Sequence, residues 1–260
     1  MAYETILFEL NERVATLTLN RPEVFNAFNE QLSFDVIDAL KKTAKDPEIR
    51  VLVITGAGKA FCSGQDLKSI AGAKNRSLRD SIDRRYNPMI KAIRSLPIPV
   101  ICRLNGVAAG AGCSLALACD MIVASETASL IEVFVNVGLV LDSGSSYFLP
   151  RLIGSARAFE MSTLGSKISA QQAFEWGMVN RVCKAEELDA EVEKLTAYYA
   201  SAPTKAVGLM KKMLNKSFHS DLNTMLEYEA WCQDIAGKSE DYREGVNAFV
   251  EKRKPAFKGR

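Results

Sequence analysis

Two glycine-containing stretches of this 260-residue chain could bind a negatively charged oxygen through backbone amides. The first, GAGKAFCSGQDL at 56–67, follows an apolar run and is predicted to lead into a short helix. In the second, Gly110–Gly112 opens an apolar helix that is predicted to begin at Cys113. The first N–H groups of a helix have no acceptor within it, and small residues let a ligand approach closely. Each stretch alone is equally consistent with tight strand-to-helix packing, but together they could hold one oxyanion between backbone donors.

Asp142, Ser114 and Glu132 carry side chains that could take part in the chemistry. Asp142 precedes a predicted helix in the run Asp-Ser-Gly-Ser, which is also typical of a helix N-cap. Ser114 has the surroundings of a nucleophile elbow, but we expect a helix serine that faces the pocket, because Gly106–Ala111 separates it from the preceding strand. The only histidine, His219, lies in a polar run and is poorly placed for a Ser-His-Asp hydrolase. Glu132 could supply a second carboxylate if it faces the same pocket.

Composition excludes several other classes of function. The net charge is +2, and aromatic residues do not interleave with basic ones, so we expect no nucleic-acid partner. No apolar run approaches the ~20 residues that cross a bilayer, and no signal peptide is visible, so we expect no membrane contact. The six cysteines lack CxxC spacing and mostly lie in apolar runs, which is typical of a reducing, cytoplasmic location. With one histidine, we also expect no metal site built on histidines.

Hydrophobic periodicity predicts an α/β core that is followed by a helical C-terminal part. The predicted strands are a hairpin at 4–19 and the segments 50–55, 100–102, 121–124, 128–131 and 179–183. The predicted helices cover 31–45, 78–94 with a bend near Asn87-Pro88, 113–119, 145–153, 155–163, 169–175, 185–200, 203–217, 220–236 and 239–251. We therefore expect a core at 1–200, which carries the site, and a helical region at 201–260.

Four motifs resemble the crotonase (enoyl-CoA hydratase/isomerase) superfamily. They are NRPEVFNAFN at 20–29, FCSGQDL at 61–67, NGVAAGAGCSLALACD at 105–120 and ISAQQAFEWGMVNRV at 168–182. The resemblance covers nearly the whole chain and implies a crotonase-like (ClpP/crotonase) α/β fold, a spiral of ββα units with a helical C-terminal oligomerisation region. It also implies acyl-CoA thioester substrates, an enolate intermediate, and a homotrimer or a hexamer built as a dimer of trimers.

The resemblance also implies roles for individual residues. By position, the N–H groups of Cys62 and Ala111 would be catalytic, holding the thioester oxygen. The substrate-binding residues would be Val24, Ala27, Phe28, Ala60, Gly64, Gln65, Asp66, Leu67, Gly110, Ser114 and Phe134. Coenzyme A belongs to the substrate, so no separate cofactor is expected.

The acidic residues distinguish between the reactions of this superfamily. Its hydratases carry two glutamates, and Ser114 and Phe134 stand at those positions here, which disfavours addition of water. The run GLVLDSGSSYFLPRLIG at 138–154 resembles the phenylacetate-pathway 1,2-epoxyphenylacetyl-CoA isomerase group, although Leu141 replaces the usual proline. In that group an acid at the position of Asp142 moves protons on the acyl chain.

We therefore predict an acyl-CoA isomerase, acting on 1,2-epoxyphenylacetyl-CoA or as a Δ3,Δ2-enoyl-CoA isomerase. Enoyl-CoA hydration or another crotonase reaction, with Glu132 or a water held by Ser114, is one alternative. A non-catalytic acyl-CoA-binding module is another.

Several secondary expectations accompany this prediction. Burial among Leu139–Leu141 and Tyr147 should raise the pKa of Asp142. Tyr86, Tyr147 and Phe134 could line a pocket for an aromatic acyl group, or could equally belong to the core. The basic run Lys252–Lys254 could bind the phosphates of coenzyme A, or could be a solvated terminus.

Overall fold

Two β-sheets form the centre of the protein, whose computed structural model describes residues 3–70 and 77–260. The larger sheet contains, in spatial order, β1 (Ile6–Asn11), β2 (Val14–Leu19), β3 (Val51–Gly56), β5 (Val100–Leu104), β7 (Met121–Ser125) and β10 (Arg181–Cys183). The smaller sheet contains β4 (Ala60–Cys62), β6 (Val107–Ala109), β8 (Ser129–Ile131) and β9 (Lys167–Ser169). The β1–β2 and β8–β9 pairs are antiparallel, and the other strand pairs are parallel.

The chain alternates between the two sheets. After β3, β5 and β7 in the larger sheet, the next strand in each case lies in the smaller sheet, as β4, β6 and β8. Helices follow these strand pairs, which makes the repeating ββα unit of the expected spiral. The predicted fold class is thereby confirmed.

The helices surround the sheets and occupy the C-terminal quarter of the chain. They are α1 (Glu30–Lys45), α2 (Leu78–Ser81), α3 (Asn87–Ser95), α4 (Ala111–Ala118), α5 (Ser145–Leu164), α6 (Ala170–Glu175), α7 (Leu188–Ser201), α8 (Thr204–Ser217), α9 (Leu222–Gly237) and α10 (Glu240–Val250). Within 3–70 and 77–260, none of them is both long and apolar enough to cross a bilayer.

Two helical segments depart from the predicted boundaries. The bend expected near Asn87-Pro88 is a π-helical turn at Ile82–Tyr86, which joins α2 to α3. Since a proline cannot donate an N–H and its ring clashes with the preceding turn, a distortion immediately before Pro88 is expected. The helices predicted at 145–153 and 155–163 form one element, α5, interrupted at Gly154, whose φ of +77° is not helical.

Three short strands were not predicted: β4, β6 and β9, each of three residues. Three residues are too few to show a hydrophobic period, so pairing within the smaller sheet decides their conformation. One consequence is a correction: the segment Gly106–Ala111, expected to separate Ser114 from the preceding strand, itself contains a strand, β6, which leads into α4 through Gly110 alone.

The C-terminal tail is bound to the rest of the molecule. The Arg50 guanidinium, which follows α1 in the core, donates a hydrogen bond to the Phe257 carbonyl at 3.1 Å. Asp241, in α10, accepts hydrogen bonds from the amides of Lys258 at 2.6 Å and Gly259 at 2.8 Å. The division at residue 200 stays a prediction, and the Arg50 bond connects its two parts.

The start of α4 packs against β4 with no room for a side chain. An ideal Cβ on Gly112 would lie 2.2 Å from the Cys62 carbonyl oxygen and 2.7 Å from the Cys62 Cβ. Because backbone atoms cannot move aside cheaply, a glycine is required where this helix meets the loop 56–67.

We expect Gly112→Ala to lower the free energy of unfolding by about 1–3 kcal/mol, the usual effect of overpacking a tight interior. Gly237→Ala is the matched control, since its Cβ would meet no heavy atom within 4 Å and it lies in α9. That control should gain about 0.4–1 kcal/mol through the lower entropy of its unfolded chain. Urea denaturation of both variants measures the difference, and equal stabilities would contradict the packing argument.

Candidate active site

An apolar cavity of about 500 Å³ opens beside the first turn of α4. One wall is the loop after β4, and the facing walls are the π-helical turn and the segment between β8 and α5. The residues that line it are Ser63, Gly64, Gln65, Leu67, Leu78, Ser81, Ile82, Tyr86, Gly110, Ala111, Val133, Phe134, Asn136, Val137, Leu139, Val140, Leu141 and Asp142. Among these described residues, Asp142 alone carries a carboxylate.

The two glycine-containing stretches meet at this cavity. An ideal Cβ on Gly64 would lie 2.7 Å from the Ala109 carbonyl oxygen and 3.6 Å from the Ala111 nitrogen. Gly64 also has a φ of +91°, which residues with side chains rarely adopt, so both the space and the backbone require glycine there. Ala111 is the first residue of α4, and its N–H lies at the positive end of the helix dipole.

On the facing loop, the structure places Gln65 rather than Cys62 at the cavity wall. Cys62 lies in β4, opposite Ala108, and is fully buried. Its thiol donates to the Asn26 carbonyl at 3.1 Å, and burial raises the pKa of that thiol to about 12. The expectation that the Cys62 amide lines the site is therefore not supported by its position.

The backbone of the loop shows which amide it turns toward the cavity. The Phe28 amide donates to the Gly64 carbonyl at 2.7 Å, and the Asp66 amide donates to the Phe28 carbonyl at 2.9 Å. Gly64 and Asp66 thus both bond to Phe28, on one side of the loop. In such a parallel pairing, the N–H and C=O groups of the residue between them point to the opposite side. The Gln65 amide therefore points away from Phe28, on the side of the loop that lines the cavity.

The Gln65 side chain holds this loop in place. Its Nε2 donates to the Phe28 carbonyl at 2.8 Å, and its Oε1 accepts from the Tyr86 hydroxyl at 2.8 Å and the Arg85 guanidinium at 3.2 Å. The π-helical turn brings the consecutive residues Arg85 and Tyr86 to the same acceptor. Helical distortions of this kind often occur at functional sites. No local sequence pattern indicates this role of the Gln65 side chain, because the contact spans twenty residues and depends on the π turn.

Asp142 lies half-buried in the cavity wall, at the end of a loop. Its carboxylate accepts a hydrogen bond from the Ser143 hydroxyl at 2.8 Å. Burial raises the pKa of Asp142, and the Ser143 hydrogen bond acts in the opposite direction. The alternative role as a helix cap is not observed, since Gly144 is the N-cap residue of α5 and no side chain caps that helix.

The aromatic residues expected at the site divide between two places. Tyr86 and Phe134 line the cavity with Asp142, and Tyr86 packs edge-to-face on the buried Phe28 with ring centroids 5.6 Å apart. Tyr147 lies elsewhere, stacked on His219, with its hydroxyl 3.0 Å from the His219 Nε2. Tyr147 is therefore not among the residues that line the cavity with Asp142, and its expected place in the acyl pocket is not supported.

Ser114 and Glu132 do not reach the cavity. Both side chains are fully buried, at 0% exposure. The Ser114 hydroxyl lies 3.2 Å from the Gly110 carbonyl oxygen and 2.5 Å from the Ser145 hydroxyl. The expectation that Ser114 faces the pocket is therefore wrong. The nucleophile-elbow alternative is also not supported, because Ser114 lies inside α4 and His219 is bound to Tyr147.

Glu132 lies beneath the cavity wall, immediately after β8. Its Oε1 accepts from the Ser145 hydroxyl at 3.1 Å, and the Cys113 thiol also hydrogen-bonds its carboxyl group. Its Oε2 has no hydrogen-bond partner among the described residues. Burial raises the pKa of Glu132 to about 8, and these two hydrogen bonds only partly offset that effect.

The residues expected to border coenzyme A lie around the loop after β4. The Ser63 hydroxyl donates to the Val24 carbonyl at 3.3 Å, and Leu67 is exposed at the cavity mouth. Ala27, Phe28 and Ala60 are buried, and Asp66, within the loop, is paired to Arg21 at 3.1 Å.

The basic run near the C-terminus is partly engaged within the chain. Arg253 pairs with Glu244 at 2.6 Å and with Glu251 at 2.5 Å, whereas Lys252 and Lys254 are exposed. Binding of phosphates by this run therefore stays a prediction.

The comparisons with known proteins agree with the fold. The chain matches the Enoyl-CoA hydratase/isomerase family over residues 9–260, and it belongs to that family. It is 43% identical over 260 residues to the 1,2-epoxyphenylacetyl-CoA isomerase of Escherichia coli strain K12, and the match covers 99% of each chain.

Other relatives carry a different reaction in their names. The crotonyl-CoA hydratase of Syntrophomonas wolfei is 34% identical over 258 residues, which cover 99% of each chain. The crystal structure of the enoyl-CoA hydratase of Bacillus anthracis superposes with a TM-score of 0.95 at 34% identity, over 99% of this chain and 100% of that one. Family membership thus establishes an enzyme class acting on acyl-CoA, and the site residues must distinguish its reactions.

The burial of Glu132 predicts an unusual dependence of stability on pH. The folded protein binds the Glu132 proton more tightly than the unfolded chain, so the free energy of unfolding should fall as pH rises from the ordinary value of 4.5 to about 8. The slope attributable to this group is about 1.4 kcal/mol per pH unit. Glu132→Gln should remove that slope, and the variant should gain stability relative to the parent as pH rises from 5 to 8.

Urea denaturation at a series of pH values measures this difference. Glu9→Gln, at an exposed position of β1, is the control and should run parallel to the parent. An unchanged slope in Glu132→Gln would show that the buried carboxyl group is ionised in the folded protein.

Proposed function

We propose that this protein is an acyl-CoA isomerase that moves a proton or double bond, or rearranges an epoxide, next to the thioester, through an enolate held by backbone amides. The proposal is carried by one observation: Asp142 is the one carboxylate among the described residues of the cavity wall, on which both amide-bearing loops also lie. A single carboxylate can take a proton from one carbon and return it to another. Migration of a double bond needs no more than that, because substrate and product differ only in the positions of one proton and one double bond.

The backbone supplies the charge stabilisation in this mechanism. The thioester oxygen would bind between the amides of Ala111 and Gln65, on the two loops that meet at Gly64. When Asp142 removes a proton next to the carbonyl, the negative charge moves to that oxygen. Preorganised amides and the start of α4 stabilise it, and loss of one such donor typically costs a factor of ~10²–10³ in rate.

The protonation behaviour of Asp142 suits both halves of the reaction. Its pKa is raised by burial, which brings the acid closer to neutral pH. A base with a raised pKa binds a proton more tightly, and its conjugate acid can then return that proton to another carbon. The Ser143 hydroxyl orients the carboxylate at 2.8 Å during both transfers.

Hydration is the less favoured reaction for this cavity. Addition of water requires a second group that positions and deprotonates the water, and Glu132 and Ser114 are both buried behind the wall. Phe134, which does line the cavity, has no acid–base chemistry. This arrangement supports isomerisation over the hydratase activity that several relatives carry in their names.

The cavity walls favour an apolar or aromatic acyl group. Phe134 and Tyr86 present rings to the cavity, and aliphatic side chains from Leu78 to Leu141 form most of the remainder. We infer 1,2-epoxyphenylacetyl-CoA or a Δ3-enoyl-CoA as the substrate, the first being the reaction named for the relative at 43% identity. The segment with Val24 and the loop to Leu67 would border the coenzyme A moiety.

We expect Asp142→Asn to lower kcat for these substrates by at least ~10²-fold, since the amide cannot accept the proton. Folding, checked by circular dichroism, and calorimetric binding of the CoA ester should be unchanged. The control is Asp221→Asn, where the residue caps α9 by accepting from the Thr224 amide at 2.9 Å, a role that asparagine also performs.

Three outcomes would contradict the proposal. Isomerisation by Asp142→Asn at the parental rate would exclude Asp142 as the proton carrier. Rapid hydration of crotonyl-CoA by the parent would favour a hydratase. Tight binding of CoA esters with no turnover, across a panel of acyl groups, would indicate a non-catalytic binding module.

The proposed assembly is a homotrimer, or a hexamer made of two trimers. Large apolar side chains are exposed on the outer helices, among them Phe159 at 72%, Leu222 at 72% and Phe249 at 86%. Exposed apolar surface of this extent is typical of a face that another chain covers.

We expect sedimentation velocity to show a species of at least three times the 28.6 kDa chain mass. Phe249→Glu should shift that distribution toward the single chain, because burial of an unpaired carboxylate in an apolar interface is unfavourable. Lys252→Glu, at an exposed polar position close by, is the control. A parent that sediments as one chain would exclude the trimer.

A further inference from the structure

A buried polar cluster lies directly behind Asp142 and is not used by the proposed mechanism. Its members are Glu132 after β8, Cys113 and Ser114 in α4, and Ser145 at the start of α5. The carboxyl group and both hydroxyls are fully buried. Burying polar groups costs free energy unless they bond to one another. The cluster therefore has a structural or chemical role that offsets this cost.

The hydrogen bonds of the cluster run from Glu132 to the backbone of Asp142. The Ser145 hydroxyl donates to the Glu132 Oε1 at 3.1 Å and lies 2.5 Å from the Ser114 hydroxyl. The Ser114 hydroxyl lies 3.3 Å from the Asp142 carbonyl oxygen, to which the Ser145 amide also donates, at 3.0 Å. The Ser145 amide thus holds the Asp142 carbonyl, the single Ser114 proton is shared between that carbonyl and the Ser145 hydroxyl, and Glu132 orients the Ser145 hydroxyl.

The turn that carries Asp142 needs such support. Ser143 has a φ of +51°, in the left-handed region that residues with side chains rarely adopt. Gly144 follows with a φ of +87°. A backbone held in such conformations persists only where surrounding bonds fix it, and these conformations are frequent at functional sites. The hydrogen bonds to the Asp142 carbonyl are the fixing contacts here.

The charge state of Glu132 matters to this arrangement. The titratable groups that face it are Cys113 from α4 and Asp142 from the loop, and both are neutral or negative. An ionised Glu132 would add a second negative charge beside Asp142 and beside the place where the enolate forms. The Glu132 Oε2, which has no hydrogen-bond partner among the described residues, also favours the neutral form. Burying an anionic oxygen without a donor costs more free energy than burying a protonated carboxyl group.

We propose that Glu132, in its neutral form, is the positioning residue for Asp142: through Ser145 and Ser114 it fixes the turn that carries the proton-transferring carboxylate, and its ionisation lowers turnover. The kinetic part of this inference rests on the proposed function. Glu132 touches no substrate, so its effect passes entirely through the two serines and through its charge.

Glu132→Gln is the decisive variant, because it keeps the size of the side chain and an acceptor for Ser145 but cannot ionise. At pH 7 its kcat should stay within about threefold of the parent. Above about pH 8 the parent should lose turnover, approaching tenfold per pH unit, whereas Glu132→Gln should not show this alkaline loss. A purely structural role for Glu132 would leave the two pH profiles parallel.

Ser145→Ala tests the bridge itself. It should lower kcat about tenfold with little change in KM, since the acyl-CoA cavity is intact while the Asp142 turn is loosened. The matched control is Ser33→Ala, another fully buried serine, which donates to the Asn29 carbonyl at 2.9 Å away from Asp142. Parental kcat in Ser145→Ala would overturn the proposed bridge.

The protonation state of the Glu132 carboxyl group can be measured without any turnover, which tests the role of Glu132 independently of the proposed function. Carbon-13 NMR of the full-length protein, labelled at glutamate carboxyls, should show Glu132 protonated at pH 7 and titrating near pH 8. In Asp142→Asn the same titration should move to lower pH, because the Asp142 charge raises the Glu132 pKa. If the parent isomerises no CoA ester, the proposed function fails while this coupling still holds.

The inference is overturned by any of three results. A Glu132 resonance that is ionised at pH 7 would exclude the neutral form. A titration unchanged by Asp142→Asn would exclude the coupling. A 10²-fold or greater loss of kcat in Glu132→Gln at all pH values would mean that the carboxyl group does more than position its neighbour.

Discussion

The close approach of two backbone segments is the constraint on which the site depends. Gly64 and Gly112 leave space where the loop after β4 meets the first turn of α4, and a Cβ at either position would strike a carbonyl oxygen. Because the amides on these segments belong to the main chain, their directions are set by strand pairing and helix geometry, not by side-chain rotamers. Donors fixed in this way need little reorganisation when charge develops between them.

The chemistry of the cavity follows from what is buried as much as from what is exposed. One acid, Asp142, reaches the apolar space, and a second, Glu132, lies behind the wall. Low polarity raises the pKa of both groups, but with different consequences. The acid that lines the cavity can exchange protons with a ligand, and the enclosed one can act only through its neighbours. This separation supports the proposed isomerisation, because a single carboxylate reaches the cavity among the described residues.

The extent to which the fold was predictable depended on the length of each element. Long helices such as α1, α8 and α9 show several turns of apolar periodicity, and their predicted bounds agree with the structure to within about two residues. The strands β4, β6 and β9 have three residues each and were missed, because cross-strand pairing rather than local pattern forms them. The break at Gly154 within α5 was signalled by its glycine, but the continuity across it was not.

For the site, the sequence by itself determined the chemistry that was available: two amide-bearing loops, one acid ahead of α5, and no glutamate at Ser114 or Phe134. Tertiary structure alone decided which groups line the cavity. It placed Gln65 instead of Cys62 at the cavity wall and enclosed Ser114 with Glu132. The reason is that the direction of a side chain depends on strand register and on packing between elements that are far apart in the chain. A local sequence pattern determines neither of these.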